Sequence, residues 1–185
     1  MDIKTLIHQA VLFAHLVAFA IAFSAVLRED MALLKARSID LQALADTART
    51  LTSALIALWL TGLALMAFDL GLNPHSLIVS PKLAAKLVVV FALSANGLAL
   101  HTLAFPRLRS ARAERRGAAT VPVVLGAISS ASWLCASFIG VSRLVAPAMH
   151  FSDFMLLYAV LLVGAIGVAL VFVRPRVARW LHAAL

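Results

Sequence analysis

PKLAAKLVVVFALSANGLALHTLAFP, running from Pro81 to Pro106, is the stretch that decides how the rest of the chain is read. It reads as one helix closed by a proline at each end. At about 1.5 Å of rise per residue it is long enough to cross a hydrocarbon layer of roughly 30 Å. It nevertheless carries Lys86, Ser94, Asn96 and His101. At about 100° per residue, Lys86, Val90, Leu93, Gly97 and His101 share one broad face, with Ser94 at its margin. An ionisable group inside a span is costly and normally turns toward protein or an aqueous cavity, where it finds a partner. This helix is therefore the candidate lining of any site the protein has.

The rest of the chain has the same character. Of 185 residues 63% are hydrophobic and only 13% are charged, with a mean hydropathy of +1.01, far from the balance of a soluble domain. Apolar runs at about 6–27, 51–71, 82–104, 121–145 and 151–173 are each long enough to span. The expectation is a single all-α domain, an integral bundle of five transmembrane helices. The net charge of +8 is placed at the ends of the runs rather than in a nucleic-acid-binding patch. Arg28, Lys35, Arg37 and Arg49 lie in one connection, Arg107, Arg109, Arg112, Arg115 and Arg116 in a second, and Arg174, Arg176 and Arg179 in the tail. The alternate ends hold only Lys4, Lys82 and Arg143. By the positive-inside rule this predicts an outside N-terminus, a cytoplasmic C-terminus and multi-pass insertion in a bacterial-type inner membrane. The cytoplasmic arginine clusters would meet anionic lipid, and nucleic acid is not expected as a partner.

Taken in order, residues 1–27 read as a retained span: the apolar run is longer than that of a signal peptide, and no small-x-small cleavage site precedes Arg28. His8 and His15, seven apart, share a stripe with Leu12 and Phe19. Residues 28–50 keep a broken apolar pattern without Gly or Pro, which predicts that helices one and two extend as a hairpin turning near Arg37 to Asp40, with Ser38 or Asp40 as cap. Trp59 falls in the second span and Asp69 at its outer end, before the Gly71 to His75 turn. Gly126, Ser130 and their neighbours give the fourth span small residues suited to close helix packing, and self-association into a homo-oligomer is open. The lone cysteine, Cys135, excludes an internal disulfide and reads as a packing residue. Pro147 precedes His150, Ser152 and Asp153, and Pro175 closes the fifth span.

Folded on this topology, His8, His15, Asp69, His75, Lys86, Arg143, His150 and Asp153 belong to the outer half and His101 to the cytoplasmic side. Imidazole suits haem iron, copper or zinc, and relays protons. No two histidines lie three or four apart, so a metal site must join helices; His8, His150 and Asp153 are its candidates at the outer end. No phosphate-binding loop, nucleophile elbow or HExxH motif occurs.

These residues carry a resemblance. His15-Leu16-Val17 on helix one, Arg28 just beyond it, Trp59-Leu60-Thr61-Gly62-Leu63 in helix two and Lys82-Leu83-Ala84-Ala85-Lys86-Leu87 opening helix three are similar to the bacterial HemJ-type protoporphyrinogen oxidases and the related CopD-like copper-resistance domains. The likeness covers about residues 8–105. A fifth span and a first helix without Trp or Gly depart from it. In HemJ-like proteins the first-helix His and third-helix Lys are the functional pair, and haem b is the associated cofactor. The resemblance thus implies His15 as axial haem ligand, with His101 or an outer histidine ranked behind it as a second, and Lys86 in propionate contact or proton transfer in a redox enzyme. The CopD-like alternative implies copper or small-ion handling, with His8, His150 and Asp153 as an uptake site. A membrane scaffold whose polar residues only join helices is the third expectation.

Overall fold

A computed structural model of the chain describes residues 2–35, 41–70, 80–109 and 119–183. Every regular element among them is helical: α1 (Ile3–Lys35), α2 (Leu41–Leu70), α3 (Pro81–Ala99), α4 (Phe105–Arg109), α5 (Thr120–Val141), α6 (Phe151–Val168) and α7 (Arg174–Ala183). Five stretches are long and apolar enough to cross a membrane: Ile3–Ala32, Gln42–Asp69, Pro81–Arg107, Thr120–Val141 and Phe151–Trp180. The chain is a multi-pass helical membrane protein whose apolar helices fit a bilayer. The hairpin turn near Arg37 to Asp40, the Gly71 to His75 turn and Arg112, Arg115 and Arg116 lie outside the described residues.

Two prolines do not act as the sequence predicts. Pro106 and Pro175 were expected to end helices three and five, yet the helices run through them. A π-helical turn precedes each: Leu100–Ala104 joins α3 to α4, and Ala169–Val173 joins α6 to α7. The N–H of Phe105 reaches back to the Leu100 carbonyl and that of Arg174 to the Ala169 carbonyl. A proline inside an α-helix lacks a donor and drives its ring into the carbonyl four residues earlier. Widening the preceding turn by one residue makes room for the ring, so the helix continues instead of breaking. Pro81 behaves as expected, at the first turn of α3 behind Ser80, whose hydroxyl accepts from the Leu83 N–H at 3.4 Å. The fourth helix stops at Val141, short of the expected Val145.

The chain divides into two compact units, Met1–Glu29 with Gln42–Val79, and Asp30–Leu41 with Ser80–Leu185. In the first unit α1 and α2 run antiparallel, held by polar contacts that set their register: His8 with Asp69, His15 with Thr61 and Glu29 with Thr47. In the second, Ala85 and Val89 of α3, Cys135 and Ile139 of α5, and Phe154 and Tyr158 of α6 form a close-packed core. Apolar side chains gain little by leaving lipid for protein, so what holds such helices together is packing and polar contacts. Ser132 and Tyr158 supply one, their hydroxyls 2.8 Å apart in the core. Asn96 donates from Nδ2 to the Leu125 carbonyl at 3.0 Å. The Ser130 hydroxyl donates to Asp30 Oδ2 at 2.7 Å. A second cluster, Val123 and Ala127 of α5 with Ala169 and Val177, seats α7 against the start of α5.

Candidate functional site

His15 is the most closely held ionisable side chain of the first unit. Its Nδ1 lies 2.8 Å from Thr61 Oγ1 on α2. Thr61 is four residues beyond Ala57, and its hydroxyl donates back to the Ala57 carbonyl at 2.6 Å. A hydroxyl has one proton and a backbone carbonyl can only accept. With its proton directed to Ala57, the Thr61 oxygen accepts from His15, so Nδ1 carries the hydrogen. In the neutral ring the lone pair then resides on Nε2. One helical hydrogen-bonding habit, the return of a threonine hydroxyl to the carbonyl one turn earlier, thereby favours one tautomer of an imidazole on the neighbouring helix.

The next residue, Gly62, faces the ring. A Cβ at that position would lie 3.5 Å from His15 Cε1 and 4.0 Å from Nδ1, so the imidazole rests over bare glycine backbone. The pair Thr61-Gly62 thus orients the ring from one side and accommodates it from the other.

One end of the same helix pair holds a second imidazole. His8 Nε2 lies 3.0 Å from Asp69 Oδ1, and its ring meets Phe68 edge-on, with centroids 6.0 Å apart. Among the described residues Nε2 has no hydrogen-bond partner, so the close approach to Asp69 does not count as a directed bond. It is an electrostatic pairing when the imidazole is protonated rather than a directed bond.

The remaining sequence candidates belong to the second unit. Lys86 is half-buried on α3, between core residues Ala85 and Val89 in sequence and one turn from Lys82. His101 is exposed on the π-helical turn, its ring edge-on to Phe105 at 5.2 Å. His150 and Asp153 form the N-terminal cap of α6: the carboxylate accepts from the His150 N–H at 2.7 Å, and the imidazole accepts from the Asp153 N–H. These reciprocal bonds satisfy backbone donors that open every helix, with His in the place usually held by Ser or Thr. Among the described residues no three of His, Cys, Asp and Glu gather as a metal-binding group; His8 belongs to the first unit, His150 and Asp153 to the second. His75 lies outside the described residues.

Thr61 is the residue that sequence reasoning passed over. It stood inside the quoted Trp59 to Leu63 stretch, but a threonine in an apolar helix carries no mark of its partner on another helix. Comparisons with protein-family models, curated proteins and solved structures return no match to this chain.

Proposed function

We propose that this chain is a haem b-binding protein of a bacterial-type inner membrane with a redox role, in which His15 is an axial ligand. The observation that carries this reading is the hydrogen-bonded series from His15 Nδ1–H to the Thr61 hydroxyl to the Ala57 carbonyl. A metal-ligating imidazole characteristically gives its other N–H to a fixed acceptor, which holds the ring in the ligating tautomer and raises its basicity. Haem also suits the donor set. A bare copper or zinc ion needs several protein ligands in one place, whereas a tetrapyrrole brings four nitrogens and asks the protein for one or two. Bound haem would supply one-electron chemistry. The protein's part is to orient the imidazole and to keep its hydrogen on Nδ1. The resemblance assigns Lys86 a role in binding a propionate or moving a proton, to be tested separately because it lies in the second unit. By the positive-inside rule the arginine-rich segments support a cytoplasmic C-terminus near anionic lipid and an outside N-terminus.

The test is an absorption spectrum of the full chain purified in detergent after expression with haem precursors, oxidised and dithionite-reduced, with metal content measured on the same sample. A Soret band that moves on reduction and disappears in His15→Ala is the expected result. A colourless protein refutes the reading, and stoichiometric copper in that sample would turn it toward copper handling.

A further inference from the structure

One end of the second unit concentrates positive charge. Lys82 and Lys86 stand one turn apart on the opening turns of α3. Nζ of Lys82 lies 3.5 Å from the Gly140 carbonyl, which brings it to the end of α5, three residues before Arg143. Residues four apart on a helix are neighbours, so Lys82 and Lys86 stand close, and the Gly140 contact sets Lys82 near Arg143. The N-terminus of α3 adds the positive end of its helix dipole. Among the described residues no carboxylate forms an ion pair with any of the three. Asp153, the acid that opens α6, accepts from the His150 backbone. The Gly140 carbonyl at the end of α5 offsets Lys82.

The positive-inside rule accounts for the arginine-rich segments of the sequence, but not for these. Outside the arginine-rich segments the chain has four cations, Lys4, Lys82, Lys86 and Arg143, and three of them gather here. Lys86 does so half-buried, where an unneutralised ammonium is costly. Beside Arg143 the chain exposes Val141 at 80%, Leu144 at 94% and Val145 at 48%. Cations next to exposed apolar side chains match a molecule with a negative head and an apolar body.

We propose that Lys82, Lys86 and Arg143 form a binding site for the carboxylate or phosphate head of a membrane-dissolved amphiphile. The site lies wholly in the second unit; its tetrapyrrole arm shares Lys86 with the proposed function and rests on that reading, whereas its phospholipid arm does not. Two sources share this chemistry, a phospholipid and a tetrapyrrole dicarboxylate, and the probes separate them. Native mass spectrometry of the full chain in detergent compares retained phosphatidylglycerol with phosphatidylcholine. Fluorescence titration compares metal-free protoporphyrin IX with its dimethyl ester. At least one anionic probe is expected to bind about tenfold more tightly than its counterpart lacking the negative head, the scale of one charge-assisted contact. That preference is expected to vanish in Lys82→Gln/Arg143→Gln and in Lys86→Met, and to survive in Lys4→Gln. Preference for phosphatidylglycerol identifies a lipid, preference for the free diacid identifies a tetrapyrrole, and both together support the shared head-group chemistry. No preference for either anionic probe overturns the proposal, as does a preference undiminished in Lys82→Gln/Arg143→Gln. Those two residues lie at the end of the bundle, so the double variant remains informative if Lys86→Met fails to fold. Repeating the titration in His15→Ala separates the two readings, since the head-group preference should persist when haem ligation is lost.

Discussion

Replacing Thr61 with valine keeps the shape of the side chain while removing the one oxygen that links His15 to the Ala57 carbonyl. The bonds at 2.8 Å to His15 and 2.6 Å to the Ala57 carbonyl disappear, with a longer one at 3.4 Å to the Leu58 carbonyl. The bond to Ala57 is local and its loss is minor, because that carbonyl keeps its place in the helix. The bond from His15 joins two helices, and contacts of that kind in membrane proteins contribute about 0.6 kcal/mol on average and about 1.7 at most. A stranded imidazole N–H would raise the cost toward about 3 kcal/mol. The ring has an escape, however, by moving its proton to Nε2. The expected destabilisation is therefore about 0.5–1.5 kcal/mol. That escape protonates the nitrogen that would ligate iron. Haem affinity should then fall by about 10- to 100-fold, the usual consequence of removing the group that orients a ligating histidine. The signature is a ligand effect out of proportion to the stability effect.

The assay is a haem titration of the purified apoprotein followed at the Soret band, paired with thermal unfolding of the same samples. Thr61→Ser keeps the hydroxyl and should restore affinity to near the original, since serine makes the same return bond to the carbonyl one turn earlier. Haem affinity of Thr61→Val within about twofold of the parent, a difference under about 0.5 kcal/mol, would refute the tautomer reasoning. So would a serine variant that binds as poorly as valine, because shape rather than the hydroxyl would then be responsible.

Three further outcomes follow from the geometry. Gly62→Ala places its Cβ at ordinary contact distance, 3.5 Å from His15 Cε1, so it should be tolerated and raise thermal stability by up to about 1 kcal/mol through helix propensity; Gly62→Leu should displace the ring and abolish any His15-dependent spectrum. Asn96→Leu removes a bond to the Leu125 carbonyl but also a buried Oδ1 that has no partner, and the two effects should nearly cancel, leaving stability in a detergent-unfolding titration changed by less than about 1 kcal/mol; a loss of several kcal/mol would mean that Oδ1 has a partner of its own. Asp153→Ala should cost about 1 kcal/mol, the ordinary value of a helix cap, with no change in bound copper by elemental analysis; loss of stoichiometric copper on this substitution would restore Asp153 as a ligand.

The helices were legible because their cause is local. An apolar run of sufficient length must satisfy its own backbone hydrogen bonds in lipid, and each of the five runs is helical accordingly. Pro106 and Pro175 were misread for a related reason. The rule that a proline ends a helix supposes that the turn before it keeps its width, whereas here each preceding turn widens and the helix continues. Asp153 and His150 were visible as chemistry-bearing residues, but their three-residue spacing is that of a cap, and the bland use of the pair is the one the fold shows.

The site lay further from view because its partners are set by register between helices. Even so, the sequence holds a trace of that register. Stepping back along α1 from Glu29 to His15 covers 14 residues, and from His15 to His8 covers 7; forward along α2, Thr47 to Thr61 covers 14 and Thr61 to Asp69 covers 8. Two antiparallel helices with equal rise must match such steps to within a residue if the same faces are to meet. Glu29, His15 and His8 of α1 therefore find their counterparts on α2 at an offset that is constant to within one residue. Read alone, His15 is an imidazole in an apolar helix, and Thr61 is a hydroxyl returned to its own backbone. Only the shared offset shows that the oxygen serving the Ala57 carbonyl also holds the imidazole, and so joins the packing of the hairpin to the chemistry proposed for it.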